Sequence, residues 1–134
     1  MVLKVKPKSF GPVFVIYDGT AQLRYGSGGG TDSQTHPADG SPVETMLASL
    51  GACIVRSVEW AASQNKAELQ PFQVKVTAVK SAELPGRLET AAVTVIGAPA
   101  ADAELARKIV KQAKSYCTVS NSMNTEVSVS LEAG

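Results

Sequence analysis

The chain is poor in the side chains from which metal sites are usually built. It has one histidine, His36, and two cysteines, Cys53 and Cys117. Those three donors fall short of the four-ligand set of a structural zinc site, so no metal is expected. Charge of either sign is also scarce in excess. Thirteen basic and twelve acidic residues leave a formal net charge of +1, and nothing in that balance steers the protein toward DNA, RNA or anionic lipid. Long apolar runs are missing too, and none approaches the roughly 20 residues needed to span a bilayer. The first residues, Met1-Val2-Leu3-Lys4-Val5-Lys6, alternate apolar and charged side chains. That is a strand pattern rather than the unbroken apolar core of a signal peptide, and it predicts a cytoplasmic protein. In a reducing compartment, a pair of cysteines is more often catalytic or metal-binding than structural.

What is present describes a globular chain. Hydrophobic residues are 44% and charged residues 19% of 134, which predicts one domain, 1–134, able to bury a core. It is nonetheless near the size at which association helps. No internal repeat or linker divides it.

Val13 to Tyr17 reads as a strand, Asp18-Gly19 as a tight hairpin turn, and Thr20 to Tyr25 as the returning strand. Gly26 to Gly40 is a polar, glycine-rich loop of 15 residues, long enough to be functional or mobile. No helix directly follows its Gly26-Ser27-Gly28-Gly29-Gly30 run, so it is not a phosphate-binding loop, and no cofactor is expected. His36, alone in that loop, reads as solvated.

Ser41-Pro42-Val43-Glu44 announces a helix. It places Ser at the N-cap, Pro at the first helical position and Glu three residues after the cap. The helix runs to about Gln64, roughly 34 Å at 1.5 Å per residue. Its apolar residues, Met46, Leu47, Leu50, Ile54, Val55, Val58 and Trp60, occupy more than one face. Such a helix must be buried on more than one side, and a partner chain is one candidate for the second layer. Phe72 to Ala78 alternates as a strand, Leu84-Pro85-Gly86 turns, and Leu88 to Ile96 returns. Asp102 caps a second helix, in which Leu105, Ile109 and Ala113 repeat at i+4, a spacing that continues to Cys117. Lys108, Lys111 and Lys114 lie off that stripe and read as a solvated face. Glu126 to Leu131 is a period-2 strand. The predicted order is βββ-α-ββ-α-β, an α+β fold with a long central helix.

Two cysteines carry the chemistry to be weighed. Cys53 follows Ala48-Ser49-Leu50-Gly51-Ala52, in which four of five residues are small. This is where two helices could cross. Cys53 is either a small core hydrophobe or a reactive thiol. Arg56, three residues later on the same helix face, would favour the thiolate; its other reading is an ion-pair partner for Glu59 or for Glu44 of another chain. Cys117 opens the polar cluster Cys117-Thr118-Val119-Ser120-Asn121-Ser122, a turn or the start of a short helix. There it is a dipole-activated thiol, the end of the core stripe, or both. Glu44 precedes Cys53 by nine residues, which sets it half a turn round the helix from Cys53 and roughly 13 Å along the axis. It therefore cannot touch that thiol within one helix, and serves the N-cap or a site on another chain.

Pro42-Val43-Glu44-Thr45-Met46-Leu47-Ala48-Ser49-Leu50-Gly51-Ala52-Cys53 resembles the first cysteine motif of the OsmC/Ohr family, osmotically inducible and organic hydroperoxide resistance proteins, which reads Pro-x-Glu-Leu-Leu-x-x-x-Leu-Gly-x-Cys. Cys117-Thr118-Val119-Ser120-Asn121 resembles the second, Cys-Pro-Val-Ser-Asn, with Thr118 in place of proline. The resemblance implies an OsmC-like intertwined homodimer with the two long helices packed centrally. It implies reduction of organic hydroperoxides, with Cys53 as the peroxidatic thiolate and Cys117 resolving it to a disulfide. An external dithiol, lipoyl-type by resemblance, would restore the thiols. It further implies a Glu near the start of the long helix and an N-terminal Arg beside the reactive thiol. Glu44 and Arg24 are the positions to which those roles carry over, with Arg56 as a substitute. Two other readings remain open at this point: a non-enzymatic dimer binding an apolar small molecule at the helix crossing, and a structural dimer whose cysteines only pack.

Overall fold

The computed structural model describes residues 8–27, 33–38 and 41–133. In chain order the elements are β1 (Lys8–Tyr17), β2 (Arg24–Gly26), α1 (Pro42–Gln64), β3 (Phe72–Lys80), β4 (Leu88–Ile96), α2 (Ala103–Tyr116), α3 (Thr118–Ser122) and β5 (Glu126–Glu132). The five strands form one sheet in the order β2-β1-β3-β4-β5. Neighbours are antiparallel except β4 and β5, which run parallel. A parallel pair needs a crossover, and α2 with α3 supplies it. The architecture is the α+β class that the sequence predicts. The strand expected over Met1 to Lys6 lies outside the described residues.

Alternation in β3 and β4 sends Phe72, Val74, Val76 and Ala78, and then Ala91, Val93 and Val95, to one buried face. The helices cover that face. α1 packs on β1 and β3, with α2 beside it. Leu47, Leu50, Ile54, Val55, Val58 and Ala61 of α1 are fully buried. The two-sided apolar character of α1 is therefore largely met within the chain, by the sheet on one side and α2 on the other. Met46 and Trp60 stay outside, at 41% and 36% exposure.

The cap behaves as the sequence indicates. Ser41 is the N-cap, its Oγ accepts from the Glu44 N–H at 3.2 Å, and Pro42 begins the helix. Within the single chain, the small-residue run serves a close approach of helix to sheet. A Cβ added at Gly51 would stand 2.7 Å from Val15 Cγ2 and 3.2 Å from Val76 Cγ2. The missing side chain at Gly51 thus lets α1 sit directly on β1 and β3, and the close approach is helix to sheet.

The hairpin also differs from expectation. Ile16 pairs with Arg24, so Asp18 to Leu23 is a wide loop and the returning strand shortens to Arg24–Gly26. Local bonds explain the wider loop. Asp18 Oδ1 accepts from both the N–H and the hydroxyl of Thr20, at 3.0 and 2.7 Å. Leu23 is drawn into the core at 5% exposure. Arg56 donates to the Ala21 carbonyl at 2.7 Å.

Gly51→Ala is expected to destabilise the fold. The overpacking penalty of about 1–3 kcal/mol outweighs the roughly 1 kcal/mol by which alanine favours a helix. Thermal unfolding should show a midpoint lower by a few degrees; an unchanged or higher midpoint would refute the close-approach account.

Candidate redox site

Cys53 lies midway along α1, two residues past Gly51. Since Gly51 faces the sheet, a 200° advance turns Cys53 away from it. It is half-buried, whereas Cys117 is fully buried. Cys117 sits where α2 stops and α3 begins, capping both. Its Sγ accepts from the Ser120 N–H at 3.4 Å. Its carbonyl accepts from the Ser120 hydroxyl and the Asn121 N–H, both at 3.1 Å. Asn121 Nδ2 ties the turn back to the Ser115 carbonyl at 3.0 Å. α3 in turn packs on α1, and this brings the two thiols together.

The electrostatics of Cys117 report that proximity. Burial pushes its thiol above the ordinary 9.0, the Ser120 donors pull it back down, and the nearby Cys53 thiol raises it again. Cys117 therefore holds its proton at neutral pH. The two cysteines, remote in sequence, are neighbours in the fold.

The other sequence candidates stand elsewhere. Arg56 Nη1 is 2.8 Å from Glu59 Oε2, and its Nη2 holds the Ala21 carbonyl, so its guanidinium is engaged in a surface pair and a loop anchor. Arg24 donates through Nε to Ser33 Oγ and through Nη2 to the Ser33 carbonyl, both at 2.8 Å, pinning the loop after β2. Glu44 supplies the capped N–H and helps line a small pocket of about 150 Å³ with Tyr25, Gln34, His36 and Ala48. His36 is exposed, its Nδ1 3.0 Å from the Pro37 carbonyl. Within the single chain, these contacts give both arginines structural partners. Among the described residues no group of three or more His, Cys, Asp or Glu side chains gathers as a metal site. No described helix is long and apolar enough to cross a membrane.

Sequence reasoning missed two neighbours of the pair. Ser120 was legible in principle, since a residue three positions after an N-cap places its N–H on the capping atom. The stack of Trp60 on Tyr116, with centroids 3.9 Å apart and planes 4° from parallel, joins two helices, and no local pattern announces it.

The raised Cys117 value has a direct consequence. In Cys53→Ser, iodoacetamide should label Cys117 slowly near neutrality, with the rate still climbing above pH 9, as the protonated buried thiol gives up its proton. The sign carries over to stability. A thiol whose value is raised by folding contributes stability at lower pH that is lost as pH rises through the folded value. Rapid labelling at pH 7 would contradict the burial.

A family model described as OsmC-like protein matches residues 33–132. Among solved structures, the fold is similar to an organic hydroperoxide resistance protein OsmC from Legionella pneumophila, with a TM-score of 0.59 and 15% identity over 92% of this chain and 97% of that one. It is also similar to the organic hydroperoxide resistance protein OhrB of Bacillus subtilis, with a TM-score of 0.57 and 16% identity over 96% and 98%. A hypothetical protein from Aquifex aeolicus aligns with a TM-score of 0.55 and 17% identity over 93% and 98%. No curated protein matches the chain by sequence. With both cysteine-bearing segments inside the matched span, the chain belongs to the OsmC-like protein family.

Proposed function

We propose that this protein reduces organic hydroperoxides through the Cys53–Cys117 pair. The observation that carries the reading is the meeting of the two thiols, one half-exposed and one buried. Their environments divide the labour. Cys53 has access to substrate and is the attacking thiolate; Cys117, buried and held protonated, is the resolving group. Cys53 attacks one peroxide oxygen, the O–O bond breaks, and the alkoxide leaves as an alcohol after taking a proton. Cys53 is left as a sulfenic acid. Cys117 attacks that sulfur, forming the disulfide and releasing water. A donor dithiol, lipoyl-type by family resemblance, then returns both thiols by exchange.

Arg56 is the proposed cation for the Cys53 thiolate. It stands one turn away on the same helix, and its exposed pair with Glu59 is of the kind worth only about 0–1 kcal/mol, cheap to exchange. Arg24 and Glu44 have supporting roles in this proposal. The first holds the loop at Ser33; the second gives its backbone N–H to the Ser41 cap and lines the Tyr25–His36 pocket. A second chain is proposed to cover the outer side of α1 around Met46, Ser49 and Ala52, making the homodimer. Sedimentation should then report twice the chain mass.

The decisive experiment mixes reduced protein with one equivalent of cumene hydroperoxide. Wild type should lose two thiols and two hydrogens of mass, and Cys117→Ser should accumulate an oxidised Cys53. Arg56→Ala should slow the thiol loss about tenfold, equivalent to roughly 1.4 kcal/mol of thiolate stabilisation, with partial recovery in Arg56→Lys. Thiols left intact in wild type would end the peroxidase reading. An unchanged rate in Arg56→Ala would remove Arg56 alone.

A further inference from the structure

We infer that Ser120 supports the negative charge that Cys117 carries at the moment its bond to Cys53 is made or broken. The inference rests on the thiol-pair reading and adds to it the residue that readies the buried member of the pair.

Geometry is the first observation. Among the described residues, the buried polar side chains are Ser57, Ser81 and Ser120. The Ser120 backbone N–H donates to Cys117 Sγ at 3.4 Å, and its hydroxyl donates to the Cys117 carbonyl at 3.1 Å. The hydroxyl also lies close enough to the sulfur to pull the thiol down. The same carbonyl accepts from the Asn121 N–H, and Asn121 Nδ2 reaches back to the Ser115 carbonyl. These bonds fasten the turn between α2 and α3, so the Ser120 donors are aimed at the sulfur before any reaction starts.

The surroundings of Cys117 are the second. Its side chain is fully buried, where an unsupported charge is costly. Among the described residues, the groups that bear on its ionisation are Ser120 and Cys53, and no charged side chain joins them. Cys53 works against ionisation. Ser120 is therefore what remains to stabilise a Cys117 thiolate. Fixed dipoles suit this position better than a cation, whose own desolvation would offset its attraction.

Both directions of the proposed chemistry pass through that charge. In the resolving step, Cys117 Sγ attacks the sulfur of the Cys53 sulfenic acid, the S–OH bond breaks, and the thiol proton leaves with the hydroxide as water. In reduction, an external thiolate attacks Cys53 Sγ, the S–S bond breaks, and its electron pair passes to Cys117 Sγ, which then takes a proton. Hydrogen bonds to a sulfur strengthen as it becomes anionic. The Ser120 N–H and hydroxyl thus favour both the attack and the departure, and a leaving sulfur of lower pKa departs faster. In this division, Cys53 draws on solvent access and Arg56, and Cys117 draws on Ser120.

The test uses the full-length chain and needs no peroxidase activity. In Cys53→Ser, adding Ser120→Ala should slow iodoacetamide labelling of Cys117 at pH 9 about tenfold and move its rise with pH upward by about one unit. Ser120→Thr, which keeps the hydroxyl, should restore most of the rate. A junction that merely loosened would label faster, so an equal or faster rate in Ser120→Ala would overturn the inference. With both cysteines present and the disulfide formed by diamide, Ser120→Ala should slow its reduction by dithiothreitol about threefold or more; an unchanged rate would count against Ser120 in the same way. A measurement that leaves residue 120 intact decides the matter if Ser120→Ala does not fold. In isotope-labelled Cys53→Ser, the Ser120 amide proton resonance should move downfield in step with the ionisation of Cys117, and a resonance indifferent to that titration would overturn the inference. Each of these negative results leaves the thiol pair standing. Failure of diamide to produce an intramolecular disulfide would overturn the pair, and the role of Ser120 with it.

Discussion

The seating of α1 on the sheet at Gly51 is the constraint from which the rest of the molecule follows. With no side chain there, the helix descends until its backbone rests on Val15 and Val76. That depth buries the Leu47, Leu50, Ile54 and Val58 stripe completely. It also fixes the rotation of the helix, so that a residue two places further on is turned away from the strands toward the segment joining α2 to β5. The position of Cys53 is thus set by a glycine, through the helical pitch.

The two thiols differ because their supports differ. Cys53 is carried on the middle of a long helix and keeps some contact with solvent. Cys117 is carried on a helix junction whose backbone is fastened at three points, by Ser120, Asn121 and the return bond to Ser115. Burial and a second sulfur hold it in the neutral form. Two chemically identical side chains thus differ in desolvation and access, and the proposed order of attack and resolution rests on that difference.

Much of this was legible along the chain. The Ser41-Pro42-Glu44 start of α1, the alternation of β3, β4 and β5, and the i+4 stripe of α2 leading to Cys117 are local signals, each set by helical or strand period. The two cysteine segments were readable through their resemblance to the OsmC/Ohr motifs. What the sequence left unseen depends on contacts between distant residues. The small run around Gly51 looked suited to a helix crossing, and nothing local announced the contact with the sheet that it makes within the single chain. Asp18-Gly19 looked like a two-residue turn, but Thr20, Leu23 and Arg56 together widen it. Spacing already offered Arg56 the pair with Glu59 that the fold forms, but the bonds of Arg56 to Ala21 and of Arg24 to Ser33 join distant residues and have no local signal.

The parallel pairing of β4 with β5 has a bearing on how the molecule is made. Residue 117 rides on the crossover between those strands, so its location is defined only when that non-local pairing has closed. Chains whose β4–β5 pairing has not yet formed hold one thiol on a finished helix and the other on an untethered connector. Proximity of the sulfurs is then a readout of completed topology. A chain still acquiring its structure therefore lacks the meeting of residues 53 and 117 that the finished topology provides.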